Sequence, residues 1–293
     1  MSDKNISSYS RERHRALLLL VATAILWSLG GLLIKSVNSN PLAIAGTRSA
    51  IATVVLLLVR RKPKFTWSFA QIGAALAYAA TTILFVTATK LTTAANAIFL
   101  QSTAPIYVAL LSAWLLKEKI KLADWITVMI VMSGMILFFL DNLSTTGIVG
   151  NLIAATSGIS FALFAIFMRM QKDGSPLESI ILGNLLTAAI GLPFLAHSVP
   201  DSSGWVCLAI LGVVQLGIPY ILYSKAIVHV TALEAILIPV IEPLLNPVWV
   251  FLMLGEAPGP LALLGGLVVL VAITIRCVLA ALPSKVLILH KNA

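Results

Sequence analysis

Charge is what this chain has least of. Only 11% of its 293 residues are Asp, Glu, Lys or Arg, against about 25% in a soluble globular domain. Two cysteines, Cys207 and Cys277, and four histidines, His14, His197, His229 and His290, are too few and too scattered for a disulfide framework or a metal site. No Gly-x-x-x-x-Gly-Lys-[Ser/Thr] run cradles a nucleotide phosphate, and no hydrolase or kinase signature is present. No polar joint is long enough to hold a soluble domain. These absences speak against ATP hydrolysis, against an enzyme and against any cofactor.

Apolar residues fill the space, at 59% of the chain with a mean hydropathy of +1.02. Most of such a surface needs lipid as its solvent. An apolar run of about 20 residues spans a bilayer as a helix, and ten such runs occur, at roughly 16–35, 41–59, 69–89, 93–116, 122–140, 148–168, 177–197, 204–224, 231–254 and 260–282. They are continuous and do not alternate, which argues against a β-barrel. The first run follows Arg11, Arg13 and Arg15 but is too long for a signal-peptide core and lacks a small-residue cleavage site, so it is expected to stay as an uncleaved span.

The net charge of +9 is unevenly placed. With the amino terminus inside, seventeen Lys and Arg residues fall in cytoplasmic segments, Lys35 and Lys90 fall outside, and Arg48 lies within a span. That bias predicts a multi-pass protein of the inner (plasma) membrane with both termini cytoplasmic. The basic balance then reports topology, and nucleic acid is not an expected partner.

A long internal echo organises the chain. Thr93-Ala94, Ala97, Pro105 and Glu118 recur 138 positions later as Thr231-Ala232, Ala235, Pro243 and Glu256. Leu26-Trp27 and Lys35 align loosely with Ser160-Phe161 and Arg169. Five spans per half is an odd number, so the second copy enters the membrane from the opposite side. The expected fold is all-α, ten transmembrane helices as two inverted five-helix repeats. The divisions are a cytoplasmic segment 1–15, a first repeat 16–140, an outer connection 141–147, a second repeat 148–282 and a cytoplasmic tail 283–293. Such halves can exchange conformations about an in-plane pseudo-axis, which is alternating access.

Few polar residues lie inside the spans, so each is conspicuous. Glu242, about eleven residues into the ninth span, is near the bilayer midplane, where a charge is costly and should face the bundle interior. Asn246 and Trp249 share its face, and Pro239, Pro243 and Pro247 each remove a backbone donor and should bend the helix there. Glu242 either bonds a neighbouring helix or acts in transport. In the equivalent fourth span, Gln101, Pro105 and Tyr107 are the matching candidates. Trp27, Tyr78, Phe161, Tyr220, Tyr223 and Trp249 supply packing singly and an aromatic wall for an organic ligand collectively. Arg48 either holds a carboxylate or, as the reading preferred here, ties helix ends together. Glu234 stands at the mouth of the ninth span, as a solvated residue or as a step on a proton path to Glu242.

The residues resemble the drug/metabolite transporter superfamily in its ten-span EamA-type branch. Ala24-Ile25-Leu26-Trp27-Ser28 through Lys35 is similar to that family's opening Leu-Trp-Gly…Lys pattern, with Ser28 in place of glycine. Pro41 to Arg48 resembles its second-span segment ending in arginine. Ala88 to Ala97 with Pro105 and Glu118, and Ile241-Glu242-Pro243…Gly255-Glu256, resemble the ends of its two halves. The resemblance covers nearly the whole chain and implies secondary transport through a cavity lined by spans 1, 3, 4, 6, 8 and 9. The expected substrate is a small amphipathic metabolite, an amino acid for choice, that is exported. A multidrug or cationic-compound exporter and, from another class, a membrane enzyme acting on lipid are the alternatives. Oligomeric state is open, with a monomer sufficient. In a background lacking Cys207 and Cys277, a cysteine at Ser202 should react with an impermeant thiol reagent in intact cells. Cysteines at Lys62 and Lys119 should stay protected, and external labelling at Lys119 would remove the inversion.

Overall fold

A computed structural model describes residues 3–140, 147–172, 174, 176–245, 248–249 and 259–281. All regular structure among them is helical. In lipid each backbone N–H and C=O must be satisfied within its own segment, which leaves helices as the way for continuous apolar runs to cross. Nine stretches among the described residues are long and apolar enough to span: Arg11–Ser36, Pro41–Val59, Phe69–Leu91, Ala94–Leu115, Leu122–Phe139, Ile148–Met170, Pro176–His197, Ser202–Ala226 and Pro260–Leu279. Of the expected ninth span, 231–254, residues 246–247 and 250–254 lie outside the described residues, and its described part is broken. It runs as α-helix Ala232–Leu237 and then as a 3-10 turn Ile238–Ile241.

Several other spans are also interrupted. The first breaks at Ser28-Leu29, between helices Asp3–Trp27 and Gly30–Ser36. The fourth breaks between Ala94–Gln101 and Ala104–Leu115. The seventh ends in a 3-10 segment, Leu192–His197. The eighth holds a π-helical segment, Leu211–Gly217, just ahead of Pro219, whose ring nitrogen cannot bond the Gln215 carbonyl. The breaks in the fourth and ninth spans are equivalent, because the 138-residue offset superimposes Gln101 on Pro239 and Pro105 on Pro243. Helix starts repeat as well: the Thr93 and Thr231 side chains each accept from the backbone N–H three residues on. Outside the spans, Asp201 caps the eighth helix, and the Gly204 N–H and Ser203 hydroxyl hold its carboxyl below the usual carboxylate range.

Packing follows the two-repeat plan. The third span lies on the sixth as the eighth lies on the first, and the third meets the seventh as the eighth meets the second. Second with seventh, fifth with tenth and fourth with ninth are pairs that exchange of the halves leaves unchanged. Lipid gives apolar helices no reason to associate by burial alone, so close backbone approach supplies the attraction. Gly46 and Gly191 cross in the second and seventh spans so tightly that a Cβ on Gly46 would stand 2.5 Å from the Gly191 carbonyl carbon. In the fifth and tenth, a Cβ on Gly265 would collide with the Phe138 nitrogen and the Gly134 oxygen, whereas one on Gly266 would meet the Phe138 ring at 3.5 Å and Leu244 at 4.0 Å, ordinary contacts. Gly265→Ala should therefore cost about 1–3 kcal/mol by overpacking, and Gly266→Ala should be neutral or slightly stabilising. Thermal unfolding of the two variants in detergent decides it.

Candidate functional site

The equivalent breaks of the fourth and ninth spans meet at a small cavity in the bundle. Its volume is about 40 Å³, enough for about two or three waters and far below the roughly 300–1,000 Å³ of an organic ligand pocket. The first four spans border it with Trp27, Arg48, the pair Thr81 and Thr82 with Phe85, and Gln101. The later spans add Phe161, then Gln215, Leu216 and Tyr220, then Glu242. An annex of about 20 Å³ lies between Gln101 and Pro105 on one side and Pro239 and Glu242 on the other.

Local structure explains these positions. Gln101 ends the first half of the fourth span, and its amide donates to Ser157 Oγ at 2.6 Å. Gly158 lets the sixth span approach the break, since a Cβ there would lie 3.0 Å from the Leu100 oxygen and 3.1 Å from that of Gln101. Gln215 projects from the π segment against Gly30, whose added Cβ would stand 2.9 Å from its amide nitrogen. Its Oε1 accepts from the Arg48 guanidinium at 3.3 Å. Arg48 was expected within the second span, either holding a carboxylate or tying helix ends together. It is 2% exposed and borders the cavity, because the second span crosses the eighth where Gly212 clears room.

The aromatic candidates divide. Trp27, Phe161 and Tyr220 border the cavity, with Trp27 5.1 Å from Tyr220 and 5.7 Å from Phe161 between ring centres. Tyr78 stands behind Tyr220, and its hydroxyl donates to Asn184 Oδ1 at 3.1 Å, joining the third span to the seventh. Tyr223 is one turn further along, buried and stacked on Phe164. Trp249 turns away and donates to Ser28 Oγ at 2.8 Å, tying the ninth span to the break in the first. Tyr107 lies past the break in the fourth span, half-buried against the core. Pro243 is buried beside Glu242, and Asn246 and Pro247 lie outside the described residues. Sequence reasoning passed over Thr81, Thr82, Phe85 and Gln215. Gln215 had a signal, as the lone amide in the 204–224 apolar run.

With this geometry in place, relatives become informative. Residues 14–140 and 148–276 each match the EamA-like transporter family. The chain belongs to that family. It is 29% identical over 211 residues to the uncharacterized transporter YdfC of Bacillus subtilis, covering 70% of this chain and 69% of the relative. An uncharacterized transporter of Archaeoglobus fulgidus is 24% identical over 257 residues, covering 87% and 94%. One crystal structure shares the fold with a TM-score of 0.73 and 19% identity, over 92% of this chain and 98% of that one. The protein is thus a multi-pass membrane transporter and not an enzyme.

In this EamA-like transporter the two ends of the bundle carry matching clamps. At the basic end, Arg169 Nε pairs with Glu118 at 3.0 Å, and its Nη1 donates to the Ile227 and Val228 oxygens at 3.1 and 2.7 Å. Glu118 also accepts from the Ala232 N–H at the start of the ninth span. At the opposite end Lys35, the loose counterpart of Arg169, donates to the Thr92 oxygen at 2.8 Å. Each cation caps the end of the span that precedes a broken one. A vestibule of about 570 Å³ opens at the basic end, bordered by Glu12, Arg15, Arg60, Glu178, Lys225 and His229.

Glu234 is not solvated. It is fully buried, accepts the Thr231 N–H in a capping box, and pairs with Arg13 at 2.7 Å and Arg276 at 3.2 Å. Arg276 pairs in turn with Asp124 at 2.9 Å, so one cluster ties the first, fifth, ninth and tenth spans together. Glu234→Gln should cost on the order of 3 kcal/mol, moderated by the one-fifth exposure of both arginines. A double-mutant cycle with Arg276→Gln, read by thermal unfolding, should return non-additive losses; strict additivity would dissolve the cluster as a unit.

Proposed function

We propose that the protein is a secondary transporter of the inner membrane that exports a small amphipathic metabolite, an amino acid for choice, by alternating access. The supporting observation is that the broken spans of the two repeats meet, at equivalent positions, on the central cavity and its annex, both of which Glu242 borders. Backbone hydrogen bonding is interrupted at both breaks, so a halved helix can tilt there at less cost than an intact one can bend. Tilting the two halves in opposite senses widens the cavity toward one end and then the other. The Arg169 clamp and the Lys35 clamp are the ties that alternate. Both termini are cytoplasmic in this reading, which puts the vestibule where an exported solute enters. The repeats run 16–140 and 148–282, and the substrate touches Trp27, Gln101, Phe161, Tyr220 and Glu242.

A second reading, export of organic cations, is favoured by three rings beside one carboxyl. The buried guanidinium of Arg48 in the same wall weighs against it. Counterflow in proteoliposomes with mixed metabolites, with and without an imposed pH gradient, separates the two. Glu242→Gln keeps the shape of the side chain and removes its titration. Transport should fall about tenfold or lose its pH dependence while the protein stays monodisperse. A parental rate and pH profile would make Glu242 structural.

A further inference from the structure

We infer that Arg48 and Gln215 form an anion seat in the central cavity that selects substrates bearing a carboxylate, an inference that rests on the transport reading of the same cavity. Arg48 is 2% exposed and is the largest of the fully buried side chains. A guanidinium keeps its charge and carries five N–H donors. Here it makes one side-chain hydrogen bond, to Gln215 at 3.3 Å, and its Nε has no partner. Among the described residues no carboxylate pairs with it, not even that of Glu242, which lines the same cavity.

A buried cation with idle donors is costly, yet two other spans are shaped around this one. Gly212 lets the eighth span approach the second so closely that an added Cβ would stand 2.9 Å from the Arg48 oxygen. The π segment aims Gln215 at the guanidinium, and Gly30 leaves the amide its space. A structural strut would be better served by short paired bonds than by one long one. A long bond and an empty Nε beside a cavity are what a receptor keeps for a planar, bidentate anion. The cavity also holds the Glu242 carboxyl, which discourages a dianionic phosphate and leaves room for an ammonium group on the same substrate.

The test uses the full chain in proteoliposomes. Counterflow is measured with the twenty proteinogenic amino acids, their carboxamides, the corresponding decarboxylated amines and glycerol 3-phosphate. The parent protein should exchange one or more of the acids with an apparent KM at least tenfold below that of the matched amide. Arg48→Gln should bring the two within about threefold, chiefly by raising the KM of the acid. Gln215→Leu, which keeps the guanidinium, should reduce the preference part-way and stands in if Arg48→Gln fails to fold. The inference is overturned if the parent takes amides, amines or the phosphate as well as the acids, or if the folded variants keep the parental ratio. Exchange of cations and no acid would remove the seat and leave transport standing. A folded protein that exchanges nothing would remove the transport reading as well.

Discussion

Inside a bilayer no water is available to a backbone carbonyl, and this one constraint organises the whole molecule. It forces the apolar runs into helices and makes every interruption of a helix expensive. The interruptions are concentrated: those of the first, fourth, eighth and ninth spans lie around one cavity. Three of the four are matched by a compensating feature on a neighbour. Gly158 closes on the Leu100 and Gln101 carbonyls, Trp249 donates to Ser28 beside the first break, and Gly30 makes space for the side chain that the π segment projects.

Duplication multiplies the effect. One local design, a helix capped by threonine, broken after two turns and preceded by a span whose end is held by a cation, occurs at Thr93 and again at Thr231. Because the copies are inverted, the same interaction sits at opposite ends. Both clamps are closed in this structure, and a four-residue ion cluster at Arg13, Glu234, Arg276 and Asp124 adds to the one at the basic end.

The charges within the bundle divide by environment. At the basic end every buried carboxyl has a cation: Glu234, Asp124 and Glu178 are all paired. In the cavity Arg48 and Glu242 share a wall without pairing. The two kinds of charge are distinguished here by their partners, and depth alone would not have separated them.

Composition and periodicity determined the membrane class, nine of the ten spans nearly to the residue, the duplication and its inversion, since each depends on apolar run length, on the parity of spans and on where lysine and arginine sit. Pro105 and Pro239 lie at or beside the breaks, where a missing N–H acts locally. The side-chain directions were decided only in three dimensions. Trp249 shares a helix face with Glu242 yet bonds Ser28, Tyr78 and Tyr223 pack behind the wall, and Arg48 points inward to Gln215. A helical wheel orients residues about one axis, and the 3-10 and π turns reset that axis within the very spans that form the site. Whether Glu234 faced water or two arginines was likewise settled by which helix ends the fold brings together, 221 and 42 residues apart in the chain.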